Sequence, residues 1–366
     1  MNNYEIYKPM FEGDFIPLVF GCSNDYVPYL YVGISSIIEN MNPNINYELN
    51  IMSYLYTEQS KKELLKLCEG HGNIKMRIID AEPLIEAHQN YLKRFWQTRP
   101  NVSNSQIAVC LTLFFEAFFD GYSKMLYLDS DLIVNNDVSE LFGIELGKNT
   151  IGATLDYQVI MATHNGLSVG GVNLKEYYVN ELKLDMSKYI NAGVILFDLN
   201  KLKNIDYMKK ALDYSSKNEF PLSDQTLYNL FFNNDIKILP IEWNYQAAFY
   251  DEGFQNSRKE MGLPMEKVDS PKAFHYVAKK VVHDQKLEME MKFWQYARKT
   301  PYYEALLHRR LVYPYHIVTS CTGLNESNKC TKKMVVSLKY FAYRILANFS
   351  KKYKAKKDKY KKLVKG

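Results

Sequence analysis

Short apolar runs alternate with segments of helical apolar spacing over most of the chain. The runs end in small or polar residues, which is typical of β-strands, whereas apolar residues three or four positions apart are typical of amphipathic helices. This alternation predicts an α/β fold with a mixed, mostly parallel sheet flanked by helices, in which ligands bind beyond the carboxyl ends of the strands. Strands are predicted at Ile16–Ser23, Tyr47–Tyr54, Ile74–Asp80, Lys124–Leu128, Ile151–Asp156, Tyr189–Asp198, Ile236–Tyr245 and Lys272–Tyr276. Helices are predicted at Tyr29–Met41, Thr57–Cys68, Ala108–Phe119, Tyr207–Ser216 and Leu222–Phe231, with another beginning at Val138.

The stretch Lys124–Val134 contains the most informative polar residues. Asp129 and Asp131 follow its buried strand and are separated only by Ser130. In an extended chain, residues two apart face the same side, so both carboxylates can reach one ligand. Two carboxylates at the end of a buried strand are costly unless a cation neutralises them, and a divalent ion that also holds a diphosphate would do so. The alternative is that both aspartates are solvated turn residues, since paired acids are common in turns.

Polar residues also lie at the ends of other predicted strands. Ser23 and Asp25 follow the first strand, where they would face the ligand crevice or serve only as a helix cap and a turn acid. Tyr26 beside them would stack on a base or pack in the core. Asp156 ends another strand. Asn191 precedes two small residues at a strand entry, where either a ligand approaches closely or the chain merely turns.

Three further candidates come later in the chain. Asp224 and Gln225 lie in the first turn of a predicted helix, where the helix dipole would stabilise a carboxylate even without a function. His275 lies on a short strand before Lys279 and Lys280, and its imidazole is either a transition-metal ligand or an ordinary core or surface group. No GxGxxG or GxxxxGK[ST] sequence occurs, which leaves a metal as the natural clamp for a diphosphate.

The composition is that of a globular protein without secretion or membrane-spanning signals. With 366 residues, 47% of them hydrophobic, the chain can form one large domain or two. Its five cysteines are scattered and lack CxxC spacing, which favours reduced thiols over a disulfide framework or a zinc site. No signal-peptide pattern is evident, and no run reaches the ~18–20 apolar residues that span a bilayer. These features predict a cytoplasmic protein.

The basic charge is concentrated in the last residues. The net charge is +5, but residues 351–366 hold nine lysines and one aspartate, so the rest of the chain is acidic on balance. The preceding segment Met334–Phe349 has helical apolar spacing with many aromatics. An amphipathic helix beside a polybasic run predicts binding to an anionic inner membrane leaflet. The alternative is a packed helix followed by a solubilising tail. Nucleic acid is not expected as a partner, because no base-stacking motif accompanies the lysines.

Five ordered motifs together give the chain a family resemblance. It resembles glycosyltransferase family 8, the retaining enzymes that include glycogenin and bacterial lipopolysaccharide α-galactosyl- and α-glucosyltransferases. The resemblance extends from about Pro17 to His283. The motifs that carry it are Phe20–Tyr26, Lys124–Asp131, Asn191–Val194, Ser223–Gln225 and Phe274–Tyr276. Each motif is weak alone, and their order and separation make the set specific.

The resemblance implies a nucleotide-binding domain of the type called GT-A and a UDP-sugar donor. It implies Asp129, Asp131 and His275 as ligands of Mn²⁺ (or Mg²⁺) that bridges the diphosphate, and this set of two oxygens and one imidazole suits Mn²⁺. Gln225 matches the position nearest the anomeric carbon, and since an amide is a poor nucleophile, front-face transfer through an oxocarbenium-like ion pair is expected. The resemblance assigns the other candidates to the donor, with Ser23, Asp25, Tyr26 and Ser130 at the nucleotide and Asp156, Asn191 and Asp224 around the hexose.

Two segments depart from the family pattern. Many members carry an arginine or lysine on the helix before the central motif, where this chain has Thr112. After the histidine, the family tends to have a glycine and then a lysine. Here Ala278 takes the glycine position, and the lysine expected to contact the diphosphate is shifted to Lys280 or Lys279. These departures predict either an altered donor choice or an inactive relative.

The sequence therefore predicts three parts and one main function. The parts are a GT-A domain over residues 1–285, a helical extension over 286–330 and an amphipathic, aromatic and basic tail over 331–366. The main hypothesis is a Mn²⁺-dependent retaining transferase that moves galactose or glucose from a UDP-hexose to a surface-glycan or lipid-linked acceptor, peripherally on the inner face of the plasma membrane. The alternatives are a cytosolic transferase that glycosylates a protein, and an inactive, membrane-associated protein that binds a UDP-sugar.

Overall fold

The structure is a computed structural model that describes residues 5–97, 108–169, 171–218, 223–277 and 287–310. The residues form two compact units, one ending at His275 and the other beginning at Tyr276. The first unit contains all the strands of the described part of the chain. The predicted division into residues 1–285, 286–330 and 331–366 stays a prediction. The basic tail and Lys280 lie outside the described residues.

The apolar runs form two sheets and a small hairpin. Seven strands make the main sheet in the order β10-β6-β9-β4-β1-β2-β3, and three make a second sheet in the order β11-β12-β5. The remaining two pair as a hairpin, β7 with β8. The strand bounds are β1 Ile16–Ser23, β2 Tyr47–Tyr54, β3 Ile74–Asp80, β4 Lys124–Leu128, β5 Leu132–Val134, β6 Ile151–Leu155, β7 Ser168–Val169, β8 Val172–Asn173, β9 Ile190–Asp198, β10 Ile236–Ile238, β11 Tyr245–Gln246 and β12 Ala273–His275.

Helices connect the strands along the described chain. The first unit has ten α-helices among its described residues, and α11 belongs to the second unit. None of the helices in the described ranges combines the length and apolar character that crossing a bilayer requires. Their bounds are α1 Val27–Asn40, α2 Glu58–Leu65, α3 Glu82–Gln97, α4 Phe115–Phe118, α5 Ser139–Phe142, α6 Tyr157–His164, α7 Leu199–Asn204, α8 Tyr207–Ser215, α9 Ser223–Phe232, α10 Glu252–Glu260 and α11 Leu287–Ala297.

The main sheet confirms the predicted α/β class. The three strands β1, β2 and β3 have the predicted bounds and pair in parallel. Strands β4 and β9 are almost wholly buried, as expected for central strands covered on both faces. The mixed character comes from β9, which runs antiparallel to both of its neighbours, β4 and β6. As a result β9 begins at the edge where the parallel strands end.

Two predicted elements differ from the observed ones. The segment Ile236–Tyr245 was expected to be one strand but forms β10, a 3₁₀ turn at Ile241–Trp243 and the start of β11. Pro240 lies between the first two, and a proline cannot donate a hydrogen bond within a sheet. The predicted helix Ala108–Phe119 is a 3₁₀ helix over Val109–Phe114 followed by the short α4. Aromatic and β-branched residues favour an α-helix only weakly, so tertiary packing decides their conformation.

A close contact between α1 and β5 fixes the backbone immediately after Asp131. A Cβ atom added to Gly33 of α1 would lie 2.8 Å from the carbonyl oxygen of Leu132, the first residue of β5. Only glycine therefore allows this approach of helix to strand. The hydroxyl of Ser36 adds a second link by accepting a hydrogen bond from the Val134 amide at 2.9 Å.

Candidate active site

Two aspartates and one histidine meet where the main sheet passes into the second sheet. Asp129 and Asp131 lie in the turn between β4 and β5, and His275 is the last residue of β12. The Nε2 atom of His275 lies 3.3 Å from Asp129 Oδ2 and 3.3 Å from Asp131 Oδ1. The histidine is buried, whereas both carboxylates are partly exposed, so the cluster opens on the side of the aspartates.

Strand pairing brings these three residues together from distant parts of the chain. Strand β12 pairs antiparallel with β5, so that His275 lies opposite Leu132, the neighbour of Asp131. The amide of Asp129 donates a hydrogen bond to the carbonyl of Gly193 in β9 at 2.8 Å. The hydroxyl of Tyr127 donates to Asp129 Oδ1 at 2.5 Å and holds that carboxylate in place.

The cluster is electrostatically coupled. Burial alone would lower the pKa of His275, but hydrogen bonds and charge attraction from Asp129 and Asp131 outweigh it and raise this pKa to about 10. Burial raises the pKa of Asp131, and the contact with His275 opposes that shift. A positive charge is therefore stabilised between the two carboxylates.

The same residues fit a divalent metal ion. One ligand atom from each of Asp129, Asp131 and His275 lies within 4.8 Å of the others, the single such cluster of three or more potential ligands among the described residues. Two carboxylate oxygens and one imidazole nitrogen are a donor set that Mn²⁺ accepts. The absence of a side chain at Gly193 leaves room for the ring, because a Cβ there would lie 2.1 Å from His275 Cε1.

A second group of polar side chains lies at the start of β9. Asn191 Nδ2 donates to Asp156 Oδ2 at 3.0 Å, and Gln225 Nε2 donates to the same oxygen at 3.1 Å. Gln225 Oε1 accepts from the Ala192 amide at 3.2 Å and from Asn191 Nδ2 at 3.3 Å. Asp156 also caps α6 by accepting a hydrogen bond from the Val159 amide at 3.0 Å. The structure thus brings together three of the residues predicted to surround the hexose.

Asp224, the fourth residue predicted to lie around the hexose, accepts a hydrogen bond from Thr112. It is buried at the start of α9, and the hydroxyl of Thr112 donates to its Oδ2 at 3.2 Å. The carbonyl of Thr112 in turn accepts a hydrogen bond from Tyr228 at 2.8 Å. Thr112, which occupies the expected position of a basic residue, therefore acts as a hydrogen-bond donor to Asp224.

Three of the residues predicted to contact the nucleotide lie at the end of β1 or just beyond it. Ser23 is buried and its hydroxyl donates to Asp25 Oδ1, and Asp25 and Tyr26 form a 3₁₀ turn with Asn24. Burial raises the pKa of Tyr26, and the negative charges of Asp131 and Asp129 add to that shift. Ser130, between the two aspartates, is buried.

Asn244 is the site residue that sequence reasoning missed. Its side chain is fully buried, and its Oδ1 lies 2.7 Å from His275 Nδ1 while its Nδ2 donates to Asn191 Oδ1 at 2.9 Å. It therefore joins the Asp129, Asp131 and His275 cluster to the residues around Asp156. In the sequence, Asn244 is a single polar residue between Trp243 and Tyr245, and this pattern is also typical of a polar position in a strand.

The chain matches a known protein family over most of its length. The sequence profile described as "Glycosyl transferase family 8" matches residues 17–297, well over half of the chain. The chain belongs to glycosyl transferase family 8. The predicted resemblance is thereby confirmed.

The chain is also similar to curated glycosyltransferases and, in fold, to solved structures. The chain is 25% identical over 250 residues to "Lipopolysaccharide 1,2-glucosyltransferase" of Escherichia coli, an alignment that covers 66% of this chain and 67% of the relative. It spans only 64% and 53% of two other curated glycosyltransferases that it matches. The solved structure of the bifunctional glycosyltransferase WbbM in its apo form has a TM-score of 0.69 and 22% identity, covering 83% of this chain and 53% of that one.

A second solved structure is the galactosyltransferase LgtC in complex with donor and acceptor sugar analogues. It has a TM-score of 0.59 and 19% identity, covering 78% of this chain and 96% of that one. At such identities the likeness concerns the fold, which is the GT-A fold of these glycosyltransferases. The predicted fold class is confirmed. For a family 8 glycosyltransferase, a nucleotide-sugar donor and a divalent cation are typical requirements, and Asp129, Asp131 and His275 form the candidate metal site.

Proposed function

We propose that this chain is a Mn²⁺-dependent retaining hexosyltransferase that uses a UDP-hexose. The observation that carries the proposal is the convergence of Asp129, Asp131 and His275 beside Asp156, Asn191 and Gln225 at one edge of the sheet. One group suits a cation with a diphosphate, and the other offers carboxylate and amide groups to sugar hydroxyls. Side chains suited to a cation with a diphosphate and side chains suited to a sugar thus lie side by side, which supports the proposal.

Asp129, Asp131 and His275 would hold the cation. When bound, it supplies a Lewis acid that stabilises the negative charge developing on the departing UDP. Ser23, Asp25 and Tyr26 bind the uridine and ribose, and Ser130 lies beside the diphosphate. Lys280, or its neighbour Lys279, would add a cation there. Asp156, Asn191, Asp224 and Gln225 orient the hexose.

The contacts of Gln225 favour an ion-pair mechanism over a covalent one. An amide oxygen is a weak nucleophile, and Gln225 Oε1 already accepts two hydrogen bonds. Gln225 would therefore position and stabilise the oxocarbenium-like sugar without bonding to it. The bond between the anomeric carbon and the phosphate oxygen breaks, and the acceptor oxygen adds to the same face. The departing phosphate takes the acceptor proton.

Donor hydrolysis tests the proposed function. Purified protein incubated with a panel of UDP-hexoses should release UDP slowly from one of them in the presence of Mn²⁺. A chelator should lower that release by about a hundredfold or more, because the cation supplies several kcal/mol of charge stabilisation. Release of UDP is measured directly. An absence of both turnover and UDP binding would contradict the donor site.

Thr112 favours the second candidate function, an inactive protein that binds a sugar nucleotide. A neutral hydroxyl supports Asp224 at the position where many relatives carry a cation. UDP binding without transfer to any acceptor would favour a sugar-nucleotide-binding protein. Turnover of a single donor would instead favour altered donor choice.

The proposed acceptor is a surface glycan or a lipid-linked sugar. Similarity to the Escherichia coli lipopolysaccharide 1,2-glucosyltransferase supports this class, and similarity to LgtC, solved with donor and acceptor sugar analogues, supports a glycan acceptor. The sequence pattern of residues 331–366 supports peripheral attachment to the inner face of the plasma membrane. A cytosolic transferase acting on a protein is the alternative.

Removal of residues 331–366 tests the membrane proposal. The truncated protein should lose binding to anionic vesicles, since each lysine near such a surface contributes ~1 kcal/mol. Its turnover with a soluble acceptor should persist, because the donor site lies in the first unit. Cosedimentation with anionic and with neutral vesicles measures the difference. Undiminished binding of the truncated protein to anionic vesicles would contradict the proposal.

A further inference from the structure

Asn244 connects the two halves of the proposed site through one buried amide. It is 0% exposed and lies in the short turn that leads into β11, between the 3₁₀ turn Ile241–Trp243 and Tyr245. Its two polar atoms contact two different functional residues, His275 and Asn191, at 2.7 and 2.9 Å. No water or solvent-exposed surface is needed to satisfy either atom.

The orientation of these amides is set by a backbone donor. The Gly193 amide lies 3.0 Å from the side-chain atom of Asn191 that also faces Asn244. A backbone amide can only donate, so this atom of Asn191 must be the oxygen. The other end of Asn191 is then the NH₂ group, which matches its 3.0 Å contact with the Asp156 carboxylate.

The orientation of the Asn191 amide fixes the orientation of the Asn244 amide, which in turn determines which nitrogen of His275 carries a proton. Because Asn191 presents an oxygen, Asn244 must present its NH₂ group there and its own oxygen to His275. An amide oxygen only accepts, so Nδ1 of His275 carries a proton whether the ring is neutral or charged, and a bound cation would replace any second proton at Nε2. The Nε2 atom is left facing Asp129 and Asp131, both at 3.3 Å. A neutral imidazole binds a metal through its unprotonated nitrogen.

From this chain of contacts we infer that Asn244 is a positioning residue with two roles. It holds His275 in the tautomer that presents Nε2 to the cation, and it orients Asn191 towards the donor hexose. The inference rests on the proposed function, because it assigns Asn244 to the metal and donor sites of that reaction. Groups behind metal-binding histidines commonly change metal affinity by about 10- to 100-fold when they are removed.

Two substitutions separate the two roles. Asn244→Ala removes both hydrogen bonds and should lower Mn²⁺ affinity by about 10- to 100-fold. Asn244→Asp keeps an acceptor for the Nδ1–H of His275, but it turns an oxygen towards the oxygen of Asn191. This variant should bind Mn²⁺ within a few-fold of wild type but have lower donor turnover, because an oxygen facing Asn191 Oδ1 repels it while the contacts of Asn191 with Asp156 and the Gly193 amide remain.

The matched control is Asn50→Ala. Asn50 is also a 0% exposed asparagine, but it lies in β2 and its NH₂ group donates to the Leu18 carbonyl at 3.3 Å, away from the site. The Asn50→Ala variant measures the effect of removing a buried amide that does not contact Asp129, Asp131 or His275. Its Mn²⁺ affinity and donor turnover should equal those of the wild type.

Calorimetric titration of the full chain with Mn²⁺ measures affinity, and ¹⁵N NMR of histidine-labelled protein with diamagnetic Mg²⁺ reads the tautomer of His275. Loss of Mn²⁺ affinity in Asn244→Ala alone, with an Nδ1–H tautomer in the wild type, supports the inference. An Nε2–H tautomer in the wild type overturns it even if no variant folds, as would unchanged Mn²⁺ affinity in Asn244→Ala. Wild-type protein that binds neither Mn²⁺ nor UDP would instead overturn the proposed function.

Discussion

Replacement of Asp129 by asparagine should abolish Mn²⁺-dependent UDP binding and reduce transfer by about a thousandfold, equivalent to about 4 kcal/mol of lost transition-state stabilisation. The substitution removes one anionic ligand from the cluster with Asp131 and His275. It should leave the fold intact, because Asp129 is partly exposed and an amide oxygen can still accept the hydrogen bond from Tyr127. Calorimetry with Mn²⁺ and UDP, together with a turnover assay, measures both effects.

Asp251→Asn is the matched control for this experiment. Asp251 caps α10 through the Phe254 amide at 2.9 Å, and asparagine is an equally good cap. This variant has the same change of charge away from the site and should keep wild-type UDP binding and turnover. Wild-type turnover in Asp129→Asn would contradict the assignment of Asp129 as a metal ligand.

Replacement of Gly193 by alanine should destroy the cation site through a steric clash. The added Cβ would lie 2.1 Å from His275 Cε1 and 2.9 Å from Asp129 Oδ2, closer than atoms of these kinds approach. Either the ring or the β9 backbone must move, and overpacking of this kind costs typically about 1–3 kcal/mol. We expect loss of measurable Mn²⁺ binding, determined by calorimetry, and a lower free energy of unfolding, determined with urea.

A second substitution identifies the cause of that loss of stability. If the clash with His275 is responsible, then Gly193→Ala should cost little in a His275→Ala background, because the ring is gone. Gly21→Ala is the control for placing a methyl group in a buried central strand, since its nearest contact would be 3.4 Å, to Leu111 Cβ. An equal cost of Gly193→Ala in both backgrounds would show that the ring is not the reason, and would leave the contact with Asp129 Oδ2 at 2.9 Å as the cause.

The parts of the fold that periodicity determines were predictable from the sequence. The bounds of β1, β2 and β3 coincide with apolar runs, because a central strand buried on both faces needs a continuous apolar segment. The direction of β9 was not predictable, since a buried strand has the same pattern in parallel and antiparallel pairing. The segment around Pro240 was misread because its apolar residues continue past the point where the proline ends the strand.

The same distinction holds for the site. Asp129 and Asp131 were recognisable because their spacing in an extended chain has a chemical meaning by itself. Asn244 was not, because its role depends on contacts with Asn191 and His275 that only the tertiary structure creates. The role of Thr112 as a donor to Asp224 likewise depends on how α9 packs beside residues 109–114.

The pairing of β12 with β5 also determines when a newly made chain acquires its site. A ribosome releases the acidic turn, then β9, and only more than a hundred residues after Asp131 the strand that carries His275. Pairings between such distant segments form slowly during folding. Until β12 is added, Asp129 and Asp131 lack their histidine partner, so a chain interrupted before this point would keep most of its main sheet but lack the complete cluster. If the cluster holds the proposed cation, binding of that cation would require the first unit to be synthesised and folded as far as β12.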